Sequence, residues 1–159
     1  MRSLSLLPVC AALIAGPALA QTPPPAPVHD YAKPFYMSAA DLAAKTAGGV
    51  TFEVPTAPGA RLMRIRRDKD GEIEIHRDYA DQIIVFSGHA KARIGGAVTG
   101  QRAIADGDWR GGVATGFQEY DVGPGDVLWV PAGMAHQFVV TPGAPFQYFT
   151  VKNRQTPGG

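Results

Sequence analysis

Residues 123–136 read GPGDVLWVPAGMAH, and this stretch decides the fold. Its first four residues and residues 131–133 are typical of tight turns. Between the turns, the apolar run 127–130 is typical of a short strand. His136 then begins a second apolar run, 137–141. We interpret His136 as a side chain that the two turns hold in place at the start of a strand and that points into a cavity. The alternative that this stretch leaves open is a turn histidine without a function.

The rest of the chain from residue 50 onward also has a β pattern. Short apolar runs alternate with turn residues, and Asp70-Gly71 is typical of a hairpin turn between two of the runs. Regularly spaced short strands without intervening helices predict an all-β sandwich or barrel. The predicted strands are 50–54, 60–67, 72–77, 82–87, 89–94, 115–122, 127–130, 137–141 and 146–152.

Two segments depart from this pattern. Ser38 and Asp41 resemble a helix cap, and good helix formers follow at 42–47, so we expect one short helix before Gly48-Gly49. Residues 97–112 are rich in Gly and Asp and contain Trp109, so we expect a loop there. Its end, residues 110–112, could cover a site, although a plain mobile loop is the simpler interpretation.

The first twenty residues are typical of a secretory signal peptide. Arg2 precedes the mostly apolar run 4–14, and residues 18–20 form an Ala-Leu-Ala cleavage signal. We therefore predict cleavage after Ala20, with an uncleaved membrane anchor as the less favoured alternative. The Pro-rich residues 21–30 then form a linker, and we expect a periplasmic or secreted protein.

Composition excludes several classes of function for the chain after cleavage. The sole cysteine, Cys10, lies in the predicted signal, so no disulfide or thiolate remains. Arg2 is one of 15 basic residues, and its loss leaves 14 basic against 14 acidic residues. This balance favours neither nucleic acid nor an anionic membrane as a partner.

A carboxylate and an imidazole share one strand face in the run 72–77. Side chains alternate across a strand, so Glu74 and His76 point one way while Ile73 and Ile75 point into an apolar layer. Asp81 follows after a short turn. His89 has no partner in the neighbouring sequence, so we expect it at the surface; His29 lies beside the Pro-rich linker, and we interpret it as inert. The aromatic residues at strand positions are most simply core: Phe86, Trp129, Phe138 and Tyr148.

Two parts of the sequence resemble the two motifs of the cupin superfamily. In the second motif, Gly125, Pro131, Gly133 and His136 occupy the expected places, while Val140 stands where the family has Asn.

The first motif is more degenerate. Glu74 stands at the first His position, and His76, Asp81 and Gly88 follow in order, while Asp68 replaces the opening Gly. The motifs lie 36 residues apart, and the resemblance covers about residues 50–153.

The resemblance implies a single cupin domain, a double-stranded β-helix or jelly-roll barrel, over residues 31–153, followed by a flexible tail at 154–159. It also implies that His76, Asp81 and His136 are metal ligands, joined by Glu74 as a fourth ligand or as a general base. Two histidines with carboxylates and open positions suit Mn(II), Fe(II) or Zn(II), and the extra carboxylate disfavours Ni(II) and Cu(II). Small cupins often form homodimers, and the run 50–54 is a plausible edge for such pairing.

Two of these residues have structural alternatives. Glu74 could be a solvated strand residue beside Arg64 or Arg66. Asp81 could cap the turn formed by residues 78–80.

Three functional hypotheses remain open from the sequence. The first is a metal-dependent cupin that acts on, or binds, a small oxygenated molecule. The second is a metal-free enzyme of the sugar-epimerase-like kind, with His76 and Asp81 as a catalytic dyad. The third is a non-catalytic module that binds a small ligand.

Overall fold

The computed structural model describes residues 33–49, 51–54 and 60–155 of the chain. In these ranges it holds one α-helix, one short 3-10 helix and thirteen strands. The helix α1 spans Ala39–Lys45, and the 3-10 helix spans Ala47–Gly49. The strands are β1 (Phe52–Val54), β2 (Ala60–Arg67), β3 (Glu74–His76), β4 (Tyr79–Ser87), β5 (Ala90–Ile94), β6 (Ala97–Thr99), β7 (Arg102–Ala105), β8 (Asp108–Arg110), β9 (Val113–Thr115), β10 (Gln118–Val122), β11 (Val127–Val130), β12 (His136–Val140) and β13 (Phe146–Arg154).

Most strands belong to two antiparallel sheets that pack face to face. The five-stranded sheet has the order β1-β2-β13-β4-β11, and the six-stranded sheet has the order β10-β5-β12-β3-β8-β7. Strands β6 and β9 form a separate ribbon. Phe138 of the six-stranded sheet contacts the rings of Phe146 and Tyr148 of the other sheet, at centroid distances of 5.2 and 4.9 Å. The all-β architecture therefore agrees with the prediction.

The long strand β13 shows how the sequence builds the interior. Residues 146–153 alternate between buried and half-buried, so Phe146, Tyr148, Thr150 and Lys152 all face inward. The first two belong to the apolar core. The last two bring polar groups into the other end of the same interior.

The predicted helix cap is present, and the helix begins directly after Ser38, as a cap at that residue requires. The hydroxyl oxygen of Ser38 accepts a hydrogen bond from the backbone N–H of Asp41 at 3.1 Å. The α-helix ends at Lys45, and Gly48 has a φ of 72° that favours glycine and interrupts the helical backbone within the 3-10 helix.

The predicted hairpin at Asp70-Gly71 is wrong. Strand β2 already has β1 and β13 as its two neighbours, so β3 cannot pair with it and joins the six-stranded sheet instead. Residues 68–73 therefore cross from one sheet to the other. The N–H of Gly71 donates to the carbonyl of Phe138, and the carboxylate of Asp70 accepts from the N–H of Val140, both at 2.9 Å.

The predicted loop over residues 97–112 is also wrong, because it contains three short strands. β8 pairs with β3, and β7 pairs with β8, so this segment extends the six-stranded sheet. Its polar composition hid the strands, since they gain their partners from distant parts of the chain. Residues 110–112 accordingly begin in a strand, and we find no separate lid there in the described residues.

Two of the four aromatic residues predicted as core lie outside it. Phe138 and Tyr148 are buried, but Trp129 is 52% exposed and Phe86 is 36% exposed. Alternation along β4 and β11 places both of these on the outer face of the five-stranded sheet.

Several sequence predictions fall outside the described residues. The signal peptide at 1–20, the linker at 21–30 and Val50 are among them. The described part of the chain holds no helix with the length and apolarity needed to cross a bilayer. At the other end, β13 continues to Arg154, two residues beyond the predicted strand.

Candidate metal centre

Three strands bring the predicted site residues to one point between the sheets. Glu74 and His76 lie on β3, and His136 on β12 is the direct cross-strand partner of Glu74. Asp81 faces inward from β4 of the opposite sheet. The turn before His136 is fastened to the same strand, because the N–H of Gly133 donates to the carbonyl of His76 at 2.7 Å.

All four side chains converge. Nε2 of His76 lies 3.4 Å from a carboxylate oxygen of Glu74 and 3.6 Å from one of Asp81. Nε2 of His136 lies 3.3 Å from the same Asp81 oxygen. Glu74, His76 and His136 each offer one ligand atom, and the three atoms all lie within 4.8 Å of one another.

The orientation of His76 is fixed by a residue that the sequence did not single out. Nδ1 of His76 lies 2.6 Å from a carboxylate oxygen of Asp108, its cross-strand partner on β8. A carboxylate accepts, so Nδ1 carries the proton and Nε2 presents a lone pair. Nε2 is buried and has no hydrogen-bond partner. This arrangement of carboxylate, imidazole and free Nε2 is the one that metal-bound histidines use.

His136 presents the same nitrogen to the centre. Its Nδ1 lies 3.4 Å from the carbonyl oxygen of Met134, and its Nε2 lies 3.3 Å from a carboxylate oxygen of Asp81. The two imidazole rings are 5.4 Å apart and tilted by 50°. The Nε2 atoms of both imidazoles thus face two carboxylates across a buried space.

Glu74 is a site residue and not a solvated strand glutamate. One of its oxygens accepts a hydrogen bond from Arg67 at 2.6 Å, and the other lies 3.4 Å from Arg110. The neighbours expected from the sequence are wrong, because Arg64 bonds to Gln147.

The surroundings of Glu74 favour its charged form. Burial opposes ionisation, but the positive charges of Arg67 and Arg110 outweigh it and hold the pKa of Glu74 well below its usual range. Glu74 is therefore an anion at neutral pH.

Asp81 does not cap the turn before it, because β4 already begins at Tyr79 and the Asp81 side chain is buried. Both of its oxygens accept hydrogen bonds from the ammonium of Lys152, at 2.6 and 2.8 Å. The two residues are cross-strand partners on β4 and β13. Burial raises the pKa of Asp81, but the charge and hydrogen bonds of Lys152 oppose that effect, and the pKa is lowered overall. Burial also lowers the pKa of Lys152, against the influence of Asp81.

These groups line a cavity of about 470 Å³ between the sheets. Its apolar wall includes Ile83, Phe138 and Tyr148. The hydroxyl of Tyr148 accepts a hydrogen bond from Arg67 at 2.9 Å, and burial raises the pKa of this hydroxyl. A cavity of this size suits a small ligand.

Sequence reasoning missed four charged residues of the site, of which Arg67 was read only as part of the predicted strand 60–67. Asp108 and Arg110 fell in the segment predicted as a loop, so their strand register could not be read. Lys152 carried a usable signal, since it continues the inward register of Phe146, Tyr148 and Thr150 on β13.

The geometry has parallels among known proteins. Residues 110–156 match the family of AraC-like ligand-binding domains. No curated protein sequence matches the chain. A protein with a double-stranded β-helix domain from Klebsiella pneumoniae is 13% identical, with 81% of this chain and 92% of that chain covered and a TM-score of 0.56. KdgF from a Halomonas species is 14% identical, with 69% and 82% covered and a TM-score of 0.50.

The chain spans only 53% and 58% of two longer matched proteins. One of them is the polyketide cyclase RemF from Streptomyces resistomycificus, with 19% identity over 64% of this chain and a TM-score of 0.43. The matches confirm the predicted cupin-type double-stranded β-helix and the resemblance to the cupin superfamily.

Proposed function

We propose that this cupin-fold chain binds one divalent metal ion through Glu74, His76 and His136 and holds a small oxygen-containing ligand at the remaining positions. The orphaned Nε2 of His76 carries this proposal. Its lone pair faces a carboxylate oxygen of Glu74 at 3.4 Å in a buried space. Two electron-rich atoms in that position repel one another unless a cation lies between them.

The ligand set favours particular metals. Two imidazoles and one carboxylate with open positions suit Fe(II) and Mn(II), and Zn(II) accepts the same donors. Lys152 holds both oxygens of Asp81, so we place Asp81 beside the metal and not among its ligands. Asp81 would become a fourth ligand when Lys152 releases it.

The charge of the site supports an anionic ligand. Around the centre, the carboxylates of Glu74, Asp81 and Asp108 are matched by three cations, Arg67, Arg110 and Lys152. A divalent metal leaves this balanced cluster with a surplus of positive charge in a buried cavity. A small carboxylate or similar oxyanion would neutralise it and bind the metal directly. The match to a ligand-binding family agrees with this proposal.

The compartment and the oligomeric state complete the proposal. The signal-like sequence of residues 1–20 supports export to the periplasm or beyond. The resemblance to small cupins supports a homodimer.

Metal analysis of the purified protein tests the centre. We expect about one Mn, Fe or Zn per wild-type chain after reconstitution, measured by mass spectrometry, and almost none in His76→Ala or His136→Ala. His89→Ala is the matched control, because His89 is exposed and lies outside the site. Wild-type protein without bound metal after reconstitution would contradict the proposal.

Ligand binding is tested on the metal-loaded protein. We expect oxalate or acetate to bind measurably in calorimetry, and ethylene glycol, which is neutral and of similar size, to bind much more weakly. Equal binding of the neutral compound would reject the anionic ligand and leave the metal site standing.

One observation favours a second function, metal-free acid–base catalysis. The 2.6 Å hydrogen bond between His76 and Asp108 is the dyad that such chemistry needs. The sequence predicted Asp81 as the partner, but Asp81 is bonded to Lys152 and lies 3.6 Å from the other ring nitrogen. This function predicts activity that survives EDTA and is lost in Asp108→Asn. A binding module without chemistry predicts ligand binding with no turnover under either condition.

A further inference from the structure

A second polar atom of the cavity lacks a partner, and the proposed metal does not account for it. Oγ1 of Thr150 is buried and, like Nε2 of His76, has no hydrogen-bond partner in the described part of the chain. Thr150 is only 2% exposed and lines the cavity between the sheets. A buried hydroxyl without a partner destabilises a fold, because it has given up its hydrogen bonds to water. This hydroxyl therefore does not serve the folding of the chain.

The cross-strand neighbours of Thr150 cannot satisfy its hydroxyl. Thr150 pairs with Met63 on β2 and with Ile83 on β4, and both neighbours line the same cavity. The only heteroatom that they offer is the weakly accepting thioether sulfur of Met63. Valine has the shape of threonine without the polar atom, so it would fit this apolar part of the wall better.

The position of Thr150 brings it within reach of a molecule bound at the metal centre. The inward-facing residues Tyr148, Thr150 and Lys152 follow one another on β13, about 7 Å apart. Tyr148 accepts a hydrogen bond from the arginine that binds Glu74, and Lys152 binds Asp81. Thr150 thus lies between the two residues that reach the carboxylates of the centre, and it faces the centre from the opposite sheet.

The charged groups of the cavity are less suited to recognise a neutral part of a ligand. Arg67, Arg110 and Lys152 each bind a carboxylate of the chain itself. The hydroxyl of Thr150 is neutral, and it can donate one hydrogen bond and accept others. It can therefore bind an oxygen of the ligand without changing the balance of charge around the metal.

We propose that Thr150 selects the ligand of the centre, and that this ligand is a small carboxylate with a second oxygen, as in a hydroxy or oxo acid. The inference rests on the proposed function, in which the carboxylate binds the metal. The second oxygen then forms a hydrogen bond with the Thr150 hydroxyl. Rotation about χ1 exchanges the hydroxyl and the methyl group of Thr150, so the hydroxyl can turn towards the ligand. A plain aliphatic carboxylate gains no such hydrogen bond and binds more weakly.

Thermal unfolding of the metal-free and ligand-free protein tests the first step. Thr150→Val keeps the shape of the side chain and removes the unsatisfied hydroxyl, so Tm should rise by about 2–4 °C. Thr99→Val is the matched control, because Thr99 is also a strand residue but is exposed. Its Tm should stay close to that of the wild type. A Tm of Thr150→Val that stays the same or falls would show that the hydroxyl already has a partner, and would overturn the proposal.

Calorimetry on the metal-loaded protein tests the selection of the ligand. The wild type should bind glycolate more tightly than acetate, because glycolate adds one hydroxyl. In Thr150→Val the ratio of the two affinities should fall by about 10-fold, the effect of one lost hydrogen bond. Thr150→Ser keeps the hydroxyl and should retain the wild-type ratio. Any preference that comes from the metal is common to all three proteins and cancels in this comparison.

The metal content of the same proteins separates this proposal from the proposed function. Each should carry about one metal ion per chain, because Thr150 is not a ligand. A metal-loaded wild type that binds neither acid would contradict the proposed function itself. A Thr150→Val protein that keeps its metal and the wild-type preference for glycolate would overturn only the role of Thr150. Loss of metal in Thr150→Val would also overturn that role, since Thr150 would then act on the centre and not on the ligand.

Discussion

At the scale of single residues, the ion pair between Asp81 and Lys152 determines how many ligands the centre can offer. Both side chains are buried, and they are bonded through both carboxylate oxygens. Lys152→Met removes the cation and leaves the buried Asp81 carboxylate without its ammonium partner. Breaking a buried pair in this way lowers the free energy of unfolding by about 3–5 kcal/mol.

Lys152→Met also tests whether Asp81 can bind the metal. Urea unfolding of Lys152→Met should recover part of the loss when Zn(II) or Mn(II) is added, because the freed Asp81 can then bind the ion. Lys91→Met is the control, since Lys91 is exposed and pairs only on the surface. A loss below about 1 kcal/mol would show that the buried pair contributes no more than a surface pair does.

Asp108 is the residue whose effect is easiest to separate from folding. Asp108→Asn keeps the shape but offers an amide to Nδ1 of His76, which weakens the tautomer that points a lone pair at the centre. Loss of such a supporting carboxylate lowers metal affinity by about 10- to 100-fold. Calorimetric titration with metal checks this, with Asp106→Asn as control because Asp106 is exposed. Unchanged affinity would mean that Asp108 does not orient a ligand.

At the scale of elements, Gly88 joins the first motif to the core. Its φ is 78°, and a Cβ there would collide with the carbonyl oxygen of Pro145. Gly143 has nearly the same φ of 79° but open space around the added atom. Gly143→Ala should therefore lower the free energy of unfolding by about 1 kcal/mol, which is the cost of a positive φ for alanine. Gly88→Ala should lower it by clearly more, because the steric collision adds to that cost. Equal losses in urea unfolding would show that the close approach to Pro145 is relieved without strain.

The strands and turns also show how much of the fold the sequence could predict. Strands with a strong apolar register, such as β4, β11 and β12, were found close to their true places because each pattern is local. The prediction of a hairpin at Asp70-Gly71 was wrong because this dipeptide is typical of hairpin turns. In the fold, both residues form hydrogen bonds to β12, more than sixty residues away in the sequence. β7 and β8 were missed for the same reason, since their pairing is not visible in their own composition.

The residues of the site likewise divide into those that the sequence could predict and those that it could not. The four residues of the motifs, Glu74, His76, Asp81 and His136, converge as the resemblance to the cupin motifs implied. Their supporting charges did not follow from spacing, because Asp108, Arg110 and Lys152 reach the centre only through cross-strand register. A register error of one residue would turn any of them to the opposite face.

At the scale of the whole molecule, the proposed metal should stabilise the fold. All proposed ligands come from one chain, so a single chain would suffice to bind the ion. A ligand at 100 times its dissociation constant adds about 2.7 kcal/mol to the free energy of unfolding.

Thermal unfolding should show this contribution. The wild type should gain Tm when Zn(II) or Mn(II) is added, because the metal binds the folded state through groups that unfolding separates. His136→Ala should lose that gain, and His89→Ala, at an exposed histidine outside the site, should keep it. EDTA should abolish the gain in every protein that shows one. A folded His136→Ala protein that kept the full gain would mean that the metal binds elsewhere.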